Sequence, residues 1–255
     1  MYSAWATKQR SKILFGLVSI GFVIFAAYIT IGMYRPPSCF DRKLNQDEIG
    51  VDCGGGCSLM CASQVKPLNT VWSRAIQATP TLWSALAYVE NPNPTGKVDA
   101  ARYRFTLYNR NNEIIAEKEN SIFITQGGIV PVFEGRIELL NQVPYRTEFE
   151  WIEPLVWTQM RALYILSVEE QELSNSSTQP ELTASLVNKE PFPLTDVEVV
   201  AIVFDVNNNA VGISKTYVDL ISARGKSPIT FSWTSPFTAP AERWQLIVRV
   251  PTQDN

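Results

Sequence analysis

The chain has 255 residues, 22 basic and 25 acidic, with a formal net charge of −3 and no histidine. The near balance of charge gives no footing for a nucleic-acid partner, which needs a basic face. The missing histidine removes the commonest general base and zinc ligand, so no Ser-His-Asp or Cys-His catalyst can be assembled, and the chain reads as a non-enzyme.

Residues 1–12 are read as a cytoplasmic tail, too short to fold, and 13–33 as a transmembrane helix. The span 13–33 carries no charge over 21 residues. At ~1.5 Å per residue such a helix covers roughly 30 Å, the hydrocarbon thickness of a bilayer. Lys8, Arg10 and Lys12 precede it, and Tyr34 and Arg35 follow as interfacial anchors. Positive charge upstream keeps the N-terminus in the cytoplasm and sends the rest of the chain across. Three other readings fit less well. A buried core helix shows a polar face, and this span has none. A cleaved signal has a shorter apolar core and a small-x-small site, which Ala26 and Ala27 do not supply. A lipoprotein needs small residues before its cysteine, whereas Cys39 follows Arg35, Pro36, Pro37 and Ser38.

Residues 34–66 form a cysteine-rich module. Cys39, Cys53, Cys57 and Cys61 are spaced C-x13-C-x3-C-x3-C. An even count in a segment facing an oxidising space predicts two disulfides, whose pairing the spacing does not choose. The segment has almost no apolar core and needs covalent or metal staples to hold a shape. Asp41, Asn45, Asp47, Glu48 and Asp52 put hard oxygen donors within a dozen positions, a set that suits Ca²⁺. The pattern is not an EF-hand, because Lys43 occupies a position that would need an oxygen ligand and no glutamate closes the loop. A loop pinned by disulfides with solvated acids fits the same residues, as does a zinc or iron–sulfur site with less support from the spacing. Gly54, Gly55 and Gly56 allow tight backbone approach between cysteines.

This stretch resembles a motif of predicted bacterial surface proteins, CxDGxxNxxExxxDCGGxCxxC. Cys39, Asp41, Asn45, Glu48, Asp52, Cys53, Gly54, Gly55 and Cys57 match it. Arg42 stands in place of the motif's glycine, and the last cysteine lies one residue further on. The resemblance covers about a tenth of the chain and implies a membrane-anchored surface protein.

From about residue 66 the texture becomes β-rich. Short β-branched and aromatic runs alternate with Asn- and Gly-containing turns, as at 86–89, 103–107, 121–125, 197–203 and 244–250. Tyr103, Phe105 and Leu107 alternate with Arg102, Arg104 and Thr106, the period of a half-buried strand. The pattern also repeats: 87–94 and the turn at 109–112 recur about 96–97 residues later as 185–193 and the turn at 205–209. A period near 100 residues is one domain, so two tandem β-sandwiches are expected, 67–157 and 158–255. The short junction near Pro154 argues for a fairly rigid pair. In the second copy Asn188, Pro191, Val203, Asp205, Asn208 and Gly212 resemble small immunoglobulin-like domains of the FxLYD and late-embryogenesis-abundant type. That resemblance implies an accessory or binding module without catalysis.

Trp72, Trp83, Trp151, Trp157, Trp233 and Trp244 are read as sandwich core rather than ligand platforms. Glu148, Glu150 and Glu153 offer carboxylates for glycoside hydrolysis, but their alternation reads more simply as a solvated strand face. The expectation is therefore a mainly β, single-pass protein with its bulk outside the cytoplasm. It contacts membrane lipid through its helix and holds an envelope or surface protein through strand edges or end loops. An accessory subunit of a secretion, pilus or division complex is the second reading, and a carboxylate-dependent envelope hydrolase the third.

Overall fold

The computed structural model describes residues 4–33, 36–160 and 164–251. The interfacial anchors expected at Tyr34 and Arg35 lie outside the described residues. Helix α1 runs Ala4–Met33. It begins well before the apolar span, because Lys8, Arg10 and Lys12 sit among residues with good helix propensity and no glycine or proline interrupts them. Its apolar side chains, from Ile13 to Met33, are exposed along the whole length, and it is long and apolar enough to cross a membrane. None of its crossing window is buried against the rest of the protein, so it is not a core helix. Length and composition suit an anchor and a secretory signal alike.

The rest is mainly β. The first sandwich is built from β1 (Asn69–Gln77), β2 (Leu82–Asn91), β3 (Gly96–Tyr108), β4 (Ile114–Ile124), β5 (Gly128–Glu138) and β6 (Arg146–Trp151). A two-residue strand, β7 (Thr158–Gln159), follows. The second contains β8 (Leu166–Ser174), β9 (Glu181–Asn188), β10 (Leu194–Phe204), β11 (Ala210–Ile221), β12 (Lys226–Ser232) and β13 (Arg243–Arg249). Sheet orders are β1-β2-β5 and β4-β3-β6 in the first, β12-β9-β8 and β11-β10-β13 in the second. Strand for strand the two are the same antiparallel arrangement. Strand β7 lies beyond residue 157 yet pairs Gly96 with Gln159 and Lys97 with Thr158. It therefore belongs with the first sandwich, whose core buries Trp157 beside it.

Two polar devices recur in the copies. Asn91 ends β2 and donates its side-chain amide to the carbonyls of Gly96 and Thr125 while accepting from the Asn93 N–H. Asn188 ends β9 and donates to the carbonyls of Phe192, Ile221 and Ser222 while accepting from the Glu190 N–H. Both are buried, and each satisfies backbone groups where the chain crosses between sheets. The second device is the β-turn after the long strand. Asn109 Oδ1 accepts from the N–H groups of Asn111 and Glu113, and Asp205 Oδ1 from those of Asn207 and Asn209.

The sandwiches are tandem in sequence but side by side in space. Ala85, Ala87 and Val89 of β2 face the first core, and Val197, Val199 and Ala201 of β10 face the second. The alternate residues, Leu86 on β2 and Val200, Ile202 and Phe204 on β10, meet in a third core with Ala210 and Ile213. Trp72, Ile76, Tyr88, Phe133 and Ile247 pack around it. The sheets β1-β2-β5 and β11-β10-β13 thus lie face to face, and the body has four sheet layers. Strands β2 and β10 are buried on both faces, which explains their nearly unbroken apolar runs.

Candidate functional site

The cysteine module is closed by Cys39–Cys57 and Cys53–Cys61 disulfides. Cys57 and Cys61 are its buried apolar residues. The acids of the motif turn inward to loop N–H groups. Asp52 accepts from the Arg42 N–H at 3.0 and 3.1 Å. Glu48 accepts from the N–H groups of Asn45 and Asp52. Asp41 accepts from the Lys43 N–H and from the Asn45 amide at 2.8 Å. Burial pushes the Asp41 carboxyl up, but the Asn45 amide and the backbone N–H donors outweigh it and hold the group below its usual range. The backbone here has positive φ at Arg42 (60°), Gln46 (54°) and Asp52 (57°), so these acceptors fix a strained loop. A Cβ on Gly55, which has φ of +57°, would lie 1.8 Å from the Asp47 carbonyl oxygen. That position demands glycine.

The calcium donor set is distributed rather than gathered. Among the described residues, one group of three carboxylate or sulfur atoms falls within 4.8 Å: Cys39, Glu48 and Cys57. Its two sulfurs are bonded to each other and cannot serve as thiolates. Asn45 Oδ1 is buried without a hydrogen-bond partner, and the Asp47 side chain is exposed. The donors do not form a preformed cage of six to eight oxygens.

The module is fixed to the first sandwich along 58–66. The Met60 N–H donates to the Trp157 carbonyl at 3.0 Å and the Gln159 N–H to the Ser58 carbonyl at 2.7 Å. Leu59 bridges Thr158. Buried Asn93 clamps Lys66 on both its N–H and its carbonyl. A Cβ on Gly96 would come within about 3 Å of Met60 and Trp157. The cysteine module therefore forms a collar at the end of the first sandwich where β3 begins.

The opposite end is reached along β3, thirteen residues or roughly 40 Å at ~3.3 Å per residue. There the turn at 109–113 meets the loop 140–145. Leu140, Val143 and Tyr145 are about two-thirds or more exposed, and Ile114 beside them is exposed as well. A cleft of about 670 Å³ lies between the two loops, lined by Arg110, Asn111, Asn141, Val143, Pro144 and Tyr145 among others. The Arg110 guanidinium lies 5.8 Å from the Tyr145 ring centre, and Arg146 lies over Tyr108 at 3.8 Å. The Tyr145 N–H donates to the Tyr108 carbonyl at 2.7 Å, which anchors the base of the loop. Exposed Tyr with Arg beside apolar side chains is the composition of protein-contact hot spots. The sequence marks this tip only faintly. Its trace is a loop, 139–145, that carries Leu, Val and Tyr where turns usually carry polar residues.

The remaining predicted positions take structural roles. Trp83 and Trp157 are buried in the first core. Trp72 stacks on Tyr88 at 5.3 Å in the inter-sandwich core. Trp151 packs edge-on to Phe149, Trp233 packs on Phe237 and donates to the Ile213 carbonyl, and Trp244 donates to Gln171. Glu150 pairs with Arg104 at 2.9 Å, Glu153 with Arg102, and Glu148 with Arg146 and the Tyr108 hydroxyl. They form an ion-pair ladder on an exposed sheet face.

A buried charge cluster joins the sandwiches. Arg249, 1% exposed, donates twice to Glu198, 3% exposed. It also donates to the Phe123 carbonyl of the first sandwich at 2.8 Å. Tyr217 and Lys215 hold the other Glu198 oxygen at 3.0 and 3.6 Å. Nearby Tyr103 donates to Glu134; burial first, then the Glu134 charge, pushes its hydroxyl far above its usual pKa.

No protein-family model matches the chain, and no curated protein matches it by sequence. Among solved structures, red sea bream transglutaminase aligns with 74% of this chain and 32% of its own, at 13% identity and a TM-score of 0.22. The chain thus spans about a third of that enzyme's length, and the likeness is too slight to carry any argument about activity.

Proposed function

We propose that this is a single-pass, membrane-anchored protein of the cell envelope that holds a protein partner at its membrane-distal tip and carries out no chemistry. In this reading α1 is retained in the bilayer with the N-terminus in the cytoplasm, and the disulfide module and both sandwiches lie outside. The resemblance of the cysteine motif to bacterial surface proteins and of the β-domains to immunoglobulin-like modules supports the same reading. The observation that carries it is the tip formed by Ile114, Leu140, Val143 and Tyr145: exposed apolar side chains at the end of the body opposite the collar. The four-layer packing and the collar clamp give that tip a rigid stalk.

The test is crosslinking in native cells with the full chain and with Tyr145→Ala/Val143→Ser. Loss of a specific crosslinked partner in the variant, with unchanged thermal melting, supports the tip as the contact. Truncation of a hot-spot tyrosine is expected to weaken binding by about 2 kcal/mol, some 30-fold. An unchanged partner set would reject the tip. A reporter fused after residue 255 and located in the cytosol would reject the topology.

A further inference from the structure

We propose that the outer loop of the disulfide module, residues 39–52, lies in the headgroup layer of the bilayer crossed by α1. Phe40, Leu44, Ile49 and Val51 rest against the acyl boundary, and Arg42 and Lys43 rest on lipid phosphates. This rests on the membrane-anchor reading and adds a second lipid contact to it.

Four observations carry it. Phe40 is 83% exposed, Leu44 62%, Ile49 58% and Val51 54%. So many bare apolar side chains within a dozen positions mark an interaction surface rather than scattered surface residues. They cannot fold inward, because the two disulfides and the Asp52–Arg42 and Glu48–Asn45 bonds fix the backbone around sulfur rather than around an apolar core.

The second observation is division of labour within the module. Its contacts with the first sandwich are made from 58–66, which leaves 39–52 as the half turned to other surroundings. Third, only residues 34–38 separate the end of α1 from Cys39. Six Cα steps span at most about 22 Å when fully extended. The loop is therefore held near the lipid surface at high effective concentration. Fourth, the two cations of the loop stand at its apolar turn. Arg42 and Lys43 are exposed at the same turn. The acids outnumber them: Asp41, Glu48 and Asp52 direct oxygens to loop N–H groups and Asp47 is exposed, so the apolar side chains carry the contact and the two cations only orient it. Apolar side chains flanked by basic ones are how peripheral segments bind the interface.

The experiment uses the full chain carrying Phe40→Trp, reconstituted into vesicles of roughly three parts phosphatidylcholine to one part phosphatidylglycerol. The signal is the difference in indole emission between the F40W chain and the parent. Blue-shifted difference emission, quenched about twofold or more by acyl-brominated lipid, is the expected result. Adding Leu44→Ser, Ile49→Ser and Val51→Ser should cut that quenching by at least about half. These side chains are exposed, so the disulfides and the melting curve should not change, and both are measured alongside. Difference emission of a hydrated indole, unquenched by brominated lipid, overturns the proposal. Retention of the protein in membranes after alkaline carbonate washing is scored separately. Retention with a hydrated indole defeats this proposal and leaves the anchor reading standing. Release by carbonate defeats both.

Discussion

Replacing Arg249 with methionine tests the four-layer body at the buried ion pair that joins its two sandwiches. The guanidinium is nearly sealed from water, as is its partner Glu198. Removing one member of a buried pair typically costs about 3–5 kcal/mol, because the other charge stays behind in low dielectric. Two features set the value here. The Phe123 carbonyl loses its donor, adding about 1–3 kcal/mol if it stays buried. Lys215 and Tyr217 remain on the second Glu198 oxygen and offset part of the loss. The expected net cost is about 3 kcal/mol. With a urea dependence of about 2–3 kcal/mol per molar, the unfolding midpoint of the full chain in detergent should fall by roughly 1 M, read from tryptophan fluorescence. Pairing the change with Glu198→Met removes the stranded charge, and the double variant should recover about 2 kcal/mol. A single variant within about 1 kcal/mol of the parent, or a double variant no better than the single, would refute the claim that this pair is desolvated by the contact between sandwiches.

Further outcomes follow from the collar and the acids. Gly55→Ala should destabilise the module by several kcal/mol and expose Arg42–Lys43 to trypsin, since the new Cβ meets the Asp47 carbonyl; digestion indistinguishable from the parent would show that the loop relaxes. Reduction should open the same sites, because loops of separation 18 and 8 are each held by roughly 2.5–3 kcal/mol of closure entropy. Chelation of calcium should leave them closed, because the acids already serve backbone donors; a chelator effect as large as that of reduction would instead assign Asn45 and its neighbours to an ion. Acid stability follows from Asp41 and Asp205, both held below their ordinary value. The Asn209 N–H is the foremost cause at Asp205. A carboxylate with a lowered folded pKa stabilises the protein above its unfolded value and loses that contribution as pH falls through the folded one. Stability should therefore be level above about pH 4 and decline below it. A decline centred near pH 6 would point to other groups.

Much of this architecture was legible in the residues themselves. The uncharged span 13–33 forms a helix whose large apolar side chains are exposed. The alternation of Tyr103, Phe105 and Leu107 with Arg102 and Arg104 becomes a strand with one face in the core and one in an ion-pair ladder. The recurring Asn and Asp positions become matching corners and turns. These features rest on local periodicity and short-range hydrogen bonding, which a linear pattern encodes. The apolar run around 199–204 carried a further signal, since a strand lacking alternation is covered on both sides.

Tertiary structure alone decided the rest. Four cysteines admit three pairings, and the choice of Cys39 with Cys57 depends on where the loop folds. The acids at 41–52 look the same in sequence whether they face an ion, water or their own backbone. Only the folded loop, with its positive-φ residues, turns Asp41, Glu48 and Asp52 to N–H groups. Leu86 and Ile202, or Arg249 and Phe123, lie far apart along the chain, and their meeting fixes two tandem domains as one four-layer body. Composition states which faces are apolar, but burial is a property of pairs of surfaces, and which surface covers which is settled only when the whole chain is in place.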